Sequence, residues 1–204
     1  IAAHNLEIEE ALKITKGKPM TVEQADQQHA NPNYGKKYEY SINCQTCAPA
    51  YVLRLMGFNV TAKANTKNSL SEYLSRQRSF EAWKNTDGSP AVPTLTYDWM
   101  IAKGYKQMSK KRYAEYFEEC CKETGVYILT IGWKGGGGHA TVLQRFEDGT
   151  LKYIEPQVYS ERSGAKRSID ELCESGATKP YPKRGVLRVD NKLFDTKFAS
   201  IFDK

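Results

Sequence analysis

The sequence predicts an α+β domain, and three observations carry that reading. Capped, polar-rich helical segments dominate the first half. Val126-Tyr127-Ile128-Leu129-Thr130-Ile131 is a continuous β-branched and aromatic run, the strongest strand signal in the chain. Two further apolar runs, His139 to Phe146 and Leu151 to Ile154, flank Asp148-Gly149 and read as a hairpin. Helices first and antiparallel strands second is an α+β layout.

Each element has its own local reason. Leu6, Ile8, Ala11, Leu12 and Ile14 give a loose apolar face to a first helix. Thr21-Val22-Glu23-Gln24 has the spacing of a capping box, and Asn31-Pro32-Asn33-Tyr34-Gly35 is a turn. Residues 1–40 therefore read as a helical arm or lead-in, and residues 41–204 as the main domain. Lys37 to Ile42 reads as extended and leads into a helix from Cys44 to Met56. Asn43 is a strong N-cap type, and Gly57 is the usual stop. Cys44, Cys47, Ala48, Tyr51, Val52 and Leu55 share one face of that helix, and Pro49 is early enough to be tolerated. Phe58 to Ala62 reads as a strand, residues 69–83 as a helix, and Asn85 to Pro93 as a loop. Ser109 caps a helix through Lys122, with Gly125 as its stop. Ser168 to Glu174 is a short helix, and Gly185 to Val189 a late strand before an amphipathic tail.

Composition bounds the function. At 204 residues, with 26% charged and 40% hydrophobic residues, the chain is one ordinary globular domain. No apolar run approaches the roughly 18 residues a membrane span needs. The chain begins at Ile1 rather than Met, which reads as a piece of a longer protein. Net charge is +6, with small basic groups at Lys110-Lys111-Arg112 and from Lys179 to Arg184. No zinc-finger or RNA-binding aromatic motif accompanies them, so they read as solvated surface rather than a nucleic-acid site. The five cysteines show no framework spacing, which fits free thiols in a reducing compartment such as the cytoplasm.

The chemistry-bearing residues are a cysteine and a histidine. A thiol in the first turn of a helix faces the positive end of its dipole, a setting in which thiolate nucleophiles are found. Cys44 has that position. His139 follows Gly135-Gly136-Gly137-Gly138 and begins an apolar strand. A Cys–His hydrolase also needs a group to orient the imidazole and donors for the oxyanion. Glu155 is the best orienting group, and Gln157 the fallback. Hairpin parity decides between arrangements. A two-residue turn at Asp148-Gly149 puts Glu155 on the face opposite His139. A three-residue loop with a Gly bulge puts His139, Glu155 and Gln157 on one face. The Cys44 backbone N–H is the default oxyanion donor, with the Asn43 side chain second. Cys47 is the second-choice nucleophile, and otherwise a core thiol. Taken singly, each residue has an inert reading: a capped helix start, a satisfied core histidine, a flexible glycine linker, a strand end. Cys44 and Cys47 also have the spacing of a zinc half-site or a dithiol redox pair.

Asn43-Cys44-Gln45-Thr46-Cys47-Ala48 followed by a helix to Leu55-Met56-Gly57 resembles the papain-fold domains of bacterial polymorphic toxins, many of them glutamine deamidases. It is also similar to a sequence type attached to phage minor head proteins. Gly138-His139-Ala140, with Glu155-Pro156-Gln157 after the hairpin, resembles the second motif of that group, usually Asp-x-Gln. The spacing further resembles the leader peptidases of bacteriocin exporters. These likenesses cover roughly residues 43–60 and 126–157. Glu155 departs from the group's Asp, and the peptidases' upstream Gln has no match, Tyr38 lying near its place.

The resemblance implies a papain-like fold and a Cys44–His139–Glu155 hydrolase acting on amides, without metal or organic cofactor. It implies a protein glutamine deamidase of a toxin or effector, with a protein substrate and a cognate immunity protein that is acidic against this basic chain. Three alternatives stand beside it: a cysteine peptidase of the same fold, a non-catalytic phage structural or binding module, and a dithiol redox module.

Overall fold

The computed structural model describes residues 2–159, 166–175 and 180–204. Its helices are α1 (Ala2–Leu12), α2 (Val22–Ala25), α3 (Gln27–Ala30), α4 (Cys44–Met56), α5 (Leu70–Ser75), α6 (Thr96–Ala102), α7 (Lys110–Cys120) and α8 (Ile169–Ser175). Its strands are β1 (Thr61–Ala62), β2 (Trp83–Lys84), β3 (Thr94–Leu95), β4 (Gly125–Gly132), β5 (Gly138–Arg145), β6 (Leu151–Ile154), β7 (Lys166–Ser168), β8 (Gly185–Arg188), β9 (Leu193–Phe194) and β10 (Phe202–Asp203). The protein is α+β, with an antiparallel six-stranded sheet in the order β3-β8-β4-β5-β6-β7. Among the described residues, no helix is long and apolar enough to cross a membrane.

The alternation of β4 explains the layering. Val126 and Ile128 enter one core with Val142, Ile154 and Leu187. Tyr127, Leu129 and Ile131 enter a second with Leu143, Tyr153 and Val186. Period-two side chains thus feed two cores on opposite faces of one sheet. The first core is completed by α1 to α4 and the C-terminal tail, the second by α6, α7 and α8. Each fully buried large apolar side chain here contributes roughly 1.5–3 kcal/mol.

α4 lies in the middle of the first core. Every residue from Gln45 to Arg54 is buried, so the helix has no polar face, against the one-sided pattern its spacing suggests. The reason is tertiary: β5 packs on one side, and α2, α3, α5 and β1 surround the rest. Arg54 survives burial because it donates to the carbonyls of Gln24 and Val60 and to Asn59 Oδ1. Gly57 ends the helix at φ +109°, as its C-terminal position predicts.

The first forty residues share this core through Ile8, Leu12, Ala25 and Ala30. The inward stripe of α1 is His4, Ile8 and Leu12, while Leu6 and Ala11 are exposed. His4 is there because its Nε2 accepts the Phe194 N–H at 2.9 Å, joining the two ends of the chain. The Thr21–Gln24 capping box forms as its spacing predicts. Other boundaries differ from the sequence reading. Residues 38–40 form a 3₁₀ turn rather than extended chain. The helix expected over 69–83 is split into α5 and a 3₁₀ segment, Ser79–Ala82, with Gln77 between them at positive φ. The strand expected over 58–62 is only Thr61–Ala62. Gly125 opens β4 instead of merely stopping α7. Lys179 lies outside the described residues.

Gly57 offers a direct test of how α4 is held. A Cβ there would lie 2.4 Å from the Gly17 carbonyl oxygen, on a left-handed residue. Gly57→Ala is expected to lower unfolding free energy by at least about 2 kcal/mol. Urea titration checks it, and an unchanged midpoint would contradict this packing.

Candidate active site

The hairpin register builds the site. Val142 pairs with Ile154 and Arg145 with Leu151, and Phe146 N–H donates to the Thr150 carbonyl at 2.9 Å, so the loop holds three residues, Glu147, Asp148 and Gly149. Gly149 sits at φ +87°, the bulge position of such loops. The even register sends Glu155 toward His139, and Glu155 Oε2 lies 2.7 Å from His139 Nε2. Both side chains are buried.

Glu155 is surrounded by donors. Tyr153 O–H donates to Oε2, and the Gln157 and Val158 N–H groups donate to Oε1 at 3.0 and 3.5 Å. A buried carboxylate needs this many partners to remain charged. Burial would raise its pKa, but the His139 charge and these hydrogen bonds hold it below the ordinary value. Burial likewise pushes His139 down. The Glu155 carboxylate and the neighbouring Cys44 overcome that and hold its pKa up at about 10. The two directions agree on an ion pair. Trp133 stacks on the imidazole at 5.7 Å and 26°, fixing its other face.

Cys44 is the first residue of α4 and lines the same cavity of about 440 Å³ as His139 and Glu155. Nε2 is engaged by Glu155, so Nδ1 is the ring nitrogen left for the thiol. The Cys44 thiol is near enough to the imidazole to act on it as a hydrogen-bond partner and help to hold its pKa up. The backbone N–H groups of Cys44 and Gln45 have no acceptor among the described residues, as expected at a helix start. Gln45 also lines the cavity. Its Oε1 accepts from Ser79 O–H, and its Nε2 makes no hydrogen bond among the described residues.

Two sequence-derived roles are corrected. Asn43 does not cap α4 with its side chain. Its Nδ2 donates to Asn31 Oδ1 at 2.9 Å and to the Lys63 carbonyl at 3.0 Å, which uses both hydrogens. It therefore has no donor left for an oxyanion. Gln157 lines the cavity but does not hold the imidazole; its contribution to the ion pair is its backbone N–H to Glu155. Cys47 is fully buried, and burial pushes its thiol well above the ordinary range. Tyr38 is exposed and lies outside the cavity lining.

Sequence reasoning missed Tyr153, Trp133, Gln45 and Arg184, all of which line the cavity. Tyr153 was reachable in principle, because it shares Glu155's parity on one strand. The others are brought in by the β4–β5 turn, the packing of Ser79 and the approach to β8. All five cysteines are free thiols. Among the described residues, no group of three or more His, Cys, Asp or Glu side chains has a metal-holding arrangement.

The ion pair makes a pH-dependent prediction. The His139 contribution is fully present below the unfolded value of about 6.5 and is lost as pH rises through about 10. The Glu155 contribution is present above about 4.5 and is lost as pH falls through its depressed folded value. Glu155→Gln should therefore cost most between about pH 4.5 and 6.5, about 3 kcal/mol. Denaturant titrations across pH check it, and a pH-independent cost would mean the pair is not ionised.

Comparison with known protein families, curated proteins and solved structures gives no match to this chain.

Proposed function

We propose that this chain is a papain-like thiol hydrolase acting on an amide, with a glutamine side chain of a protein as substrate. The observation that carries this reading is the buried His139–Glu155 ion pair facing Cys44 in one cavity. Cys44 attacks the amide carbonyl as a thiolate paired with the charged His139 imidazole, which already carries the proton on Nδ1. The tetrahedral oxyanion is held by the free N–H groups at the start of α4 and by Gln45 Nε2. His139 then gives its proton to the departing nitrogen, which leaves as ammonia. Water, deprotonated by the same imidazole, hydrolyses the thioester and frees the carboxylate product. Glu155 keeps the ring oriented and charged, as the acid of a triad does. A backbone amide would pass through the same acyl-enzyme, so a peptidase shares every step to that point. The likeness to toxin deamidase motifs favours the side-chain amide and an effector with a cognate acidic immunity protein.

The dithiol alternative is less well supported. Cys47 is buried, with its thiol driven toward the protonated form, and is poorly placed to resolve a mixed disulfide in solution. The non-catalytic reading is less well supported, because the buried ion pair shares one cavity with a cysteine at a helix start.

Peptide mapping of thiol alkylation at mildly acidic pH is the first test. Fast labelling confined to Cys44, slowed at least about tenfold by His139→Ala, is the expected outcome. Uniformly slow labelling would end the hydrolase reading, as would undiminished ammonia release from glutamine-bearing proteins by Cys44→Ala. Gln45→Ala should leave alkylation unchanged and lower turnover about a hundredfold. Equal losses in both assays would instead give Gln45 a structural role.

A further inference from the structure

The cavity wall holds a cation that the hydrolase chemistry does not use. Arg184 precedes β8 and lines the cavity with Cys44 and His139. Its guanidinium lies flat against Gly138, where an added Cβ would sit 2.2 Å from Nη2 and 2.5 Å from Cζ. Gly138 therefore has no side chain for a reason: it is the platform on which Arg184 reaches the site. Across the strand pair, Gly138 faces Gly132, whose missing side chain is filled by the Tyr181 ring at 2.2 Å from the Cβ position. These two cross-strand glycines seat the 181–184 segment against the mouth of the cavity.

Three other buried or half-buried arginines give a contrast. Arg54 is satisfied by three acceptor groups, Arg145 by two carbonyls and Glu118, and Arg188 by Asp190 and the Thr124 carbonyl. The Arg184 side chain has no hydrogen bond or ion pair among the described residues, and its Nε is buried without a partner. Burial lowers its pKa, and its neighbours Cys44 and Tyr181 act in the opposite direction. Among the described residues of the lining the one carboxylate, Glu155, is spent on His139, Tyr153 and two backbone N–H groups. Among the described residues the Arg184 guanidinium is thus left without a partner in the cavity that holds the thiol, and a guanidinium fork suits a carboxylate.

We propose that Arg184 is the specificity-determining residue of this site, binding a carboxylate that the substrate carries beside the reacting amide. Building on the hydrolase reading above, the substrate class becomes a glutamine flanked by an acidic residue. A segment with a basic residue at that place is rejected by like charge.

Paired alkylation tests this with a carboxylate probe. Iodoacetate carries the group the site takes; iodoacetamide is its neutral counterpart of similar size. Wild type, Arg184→Gln, Arg184→Lys and Gly138→Ala are each treated with both reagents, and the Cys44 peptide is quantified. The iodoacetate-to-iodoacetamide rate ratio in wild type should exceed that of Arg184→Gln by about three- to tenfold, and the excess should shrink with salt. Arg184→Lys should keep most of it, and Gly138→Ala, which displaces the guanidinium without removing it, should lose it. Buried Cys47 and Cys121 remaining unlabelled shows that each variant is folded. Equal ratios in wild type and Arg184→Gln overturn the proposal even where Cys44 reacts fast with iodoacetamide. Slow alkylation of Cys44 by iodoacetamide in wild type and His139→Ala alike overturns the hydrolase reading, and with it the substrate assignment, whatever the ratio.

Discussion

A charged carboxylate cannot stand in a protein interior without donors, and the site is arranged around that constraint at Glu155. Its donors come from three places: the β5 imidazole, the Tyr153 hydroxyl on its own strand, and the backbone just beyond it. They converge only when the β5–β6 loop has three residues. One residue fewer would turn Glu155 to the other face and leave His139 without its counter-ion. The hairpin register, the imidazole orientation and the ionisation of the pair are therefore one structural fact.

The thiol reaches that pair because α4 is fixed on all sides. Its start is tied by a reciprocal amide pair, in which Asn31 and Asn43 hydrogen-bond each other at 2.9 and 3.3 Å. Asn31 also donates to the Gln157 carbonyl at 3.1 Å, so one buried amide links the first helices, the thiol helix and the segment after Glu155. The early part of the chain thus contributes to the geometry of the site rather than hanging beside it. The cost of desolvating two carboxamides is offset by the hydrogen bonds they complete.

Paired and unpaired polar groups separate cleanly in this cavity. Glu155, Tyr153 and Asn43 have their polar groups consumed by the fold. Among the described residues, the N–H groups of Cys44 and Gln45, the Gln45 amide nitrogen and the Arg184 guanidinium do not. A folded chain keeps polar groups unpaired at a solvent-reached cavity at little cost, and those groups are the ones a substrate can meet.

Local chemistry made much of this legible without coordinates. The α+β class, the helix from Cys44 to Gly57, the hairpin about Asp148-Gly149 and the residues Cys44, His139 and Glu155 follow from periodicity, capping types and turn residues, which act over a few positions. Even the parity question could be posed from the sequence, because a strand's side chains alternate with period two. Its answer could not, because loop length is set by how the two strands pack. The same limit explains Asn43, a good cap by type whose side chain was claimed by Asn31 and Lys63 from distant segments. It explains α4, amphipathic by pattern yet enclosed by neighbours on every side. It explains Arg184, which reads as one more surface cation until Gly138 is seen beneath it. Residue types and their spacing decided which groups could react; long-range packing, which alone determines what each polar atom is paired with, decided which of them remain free to do so.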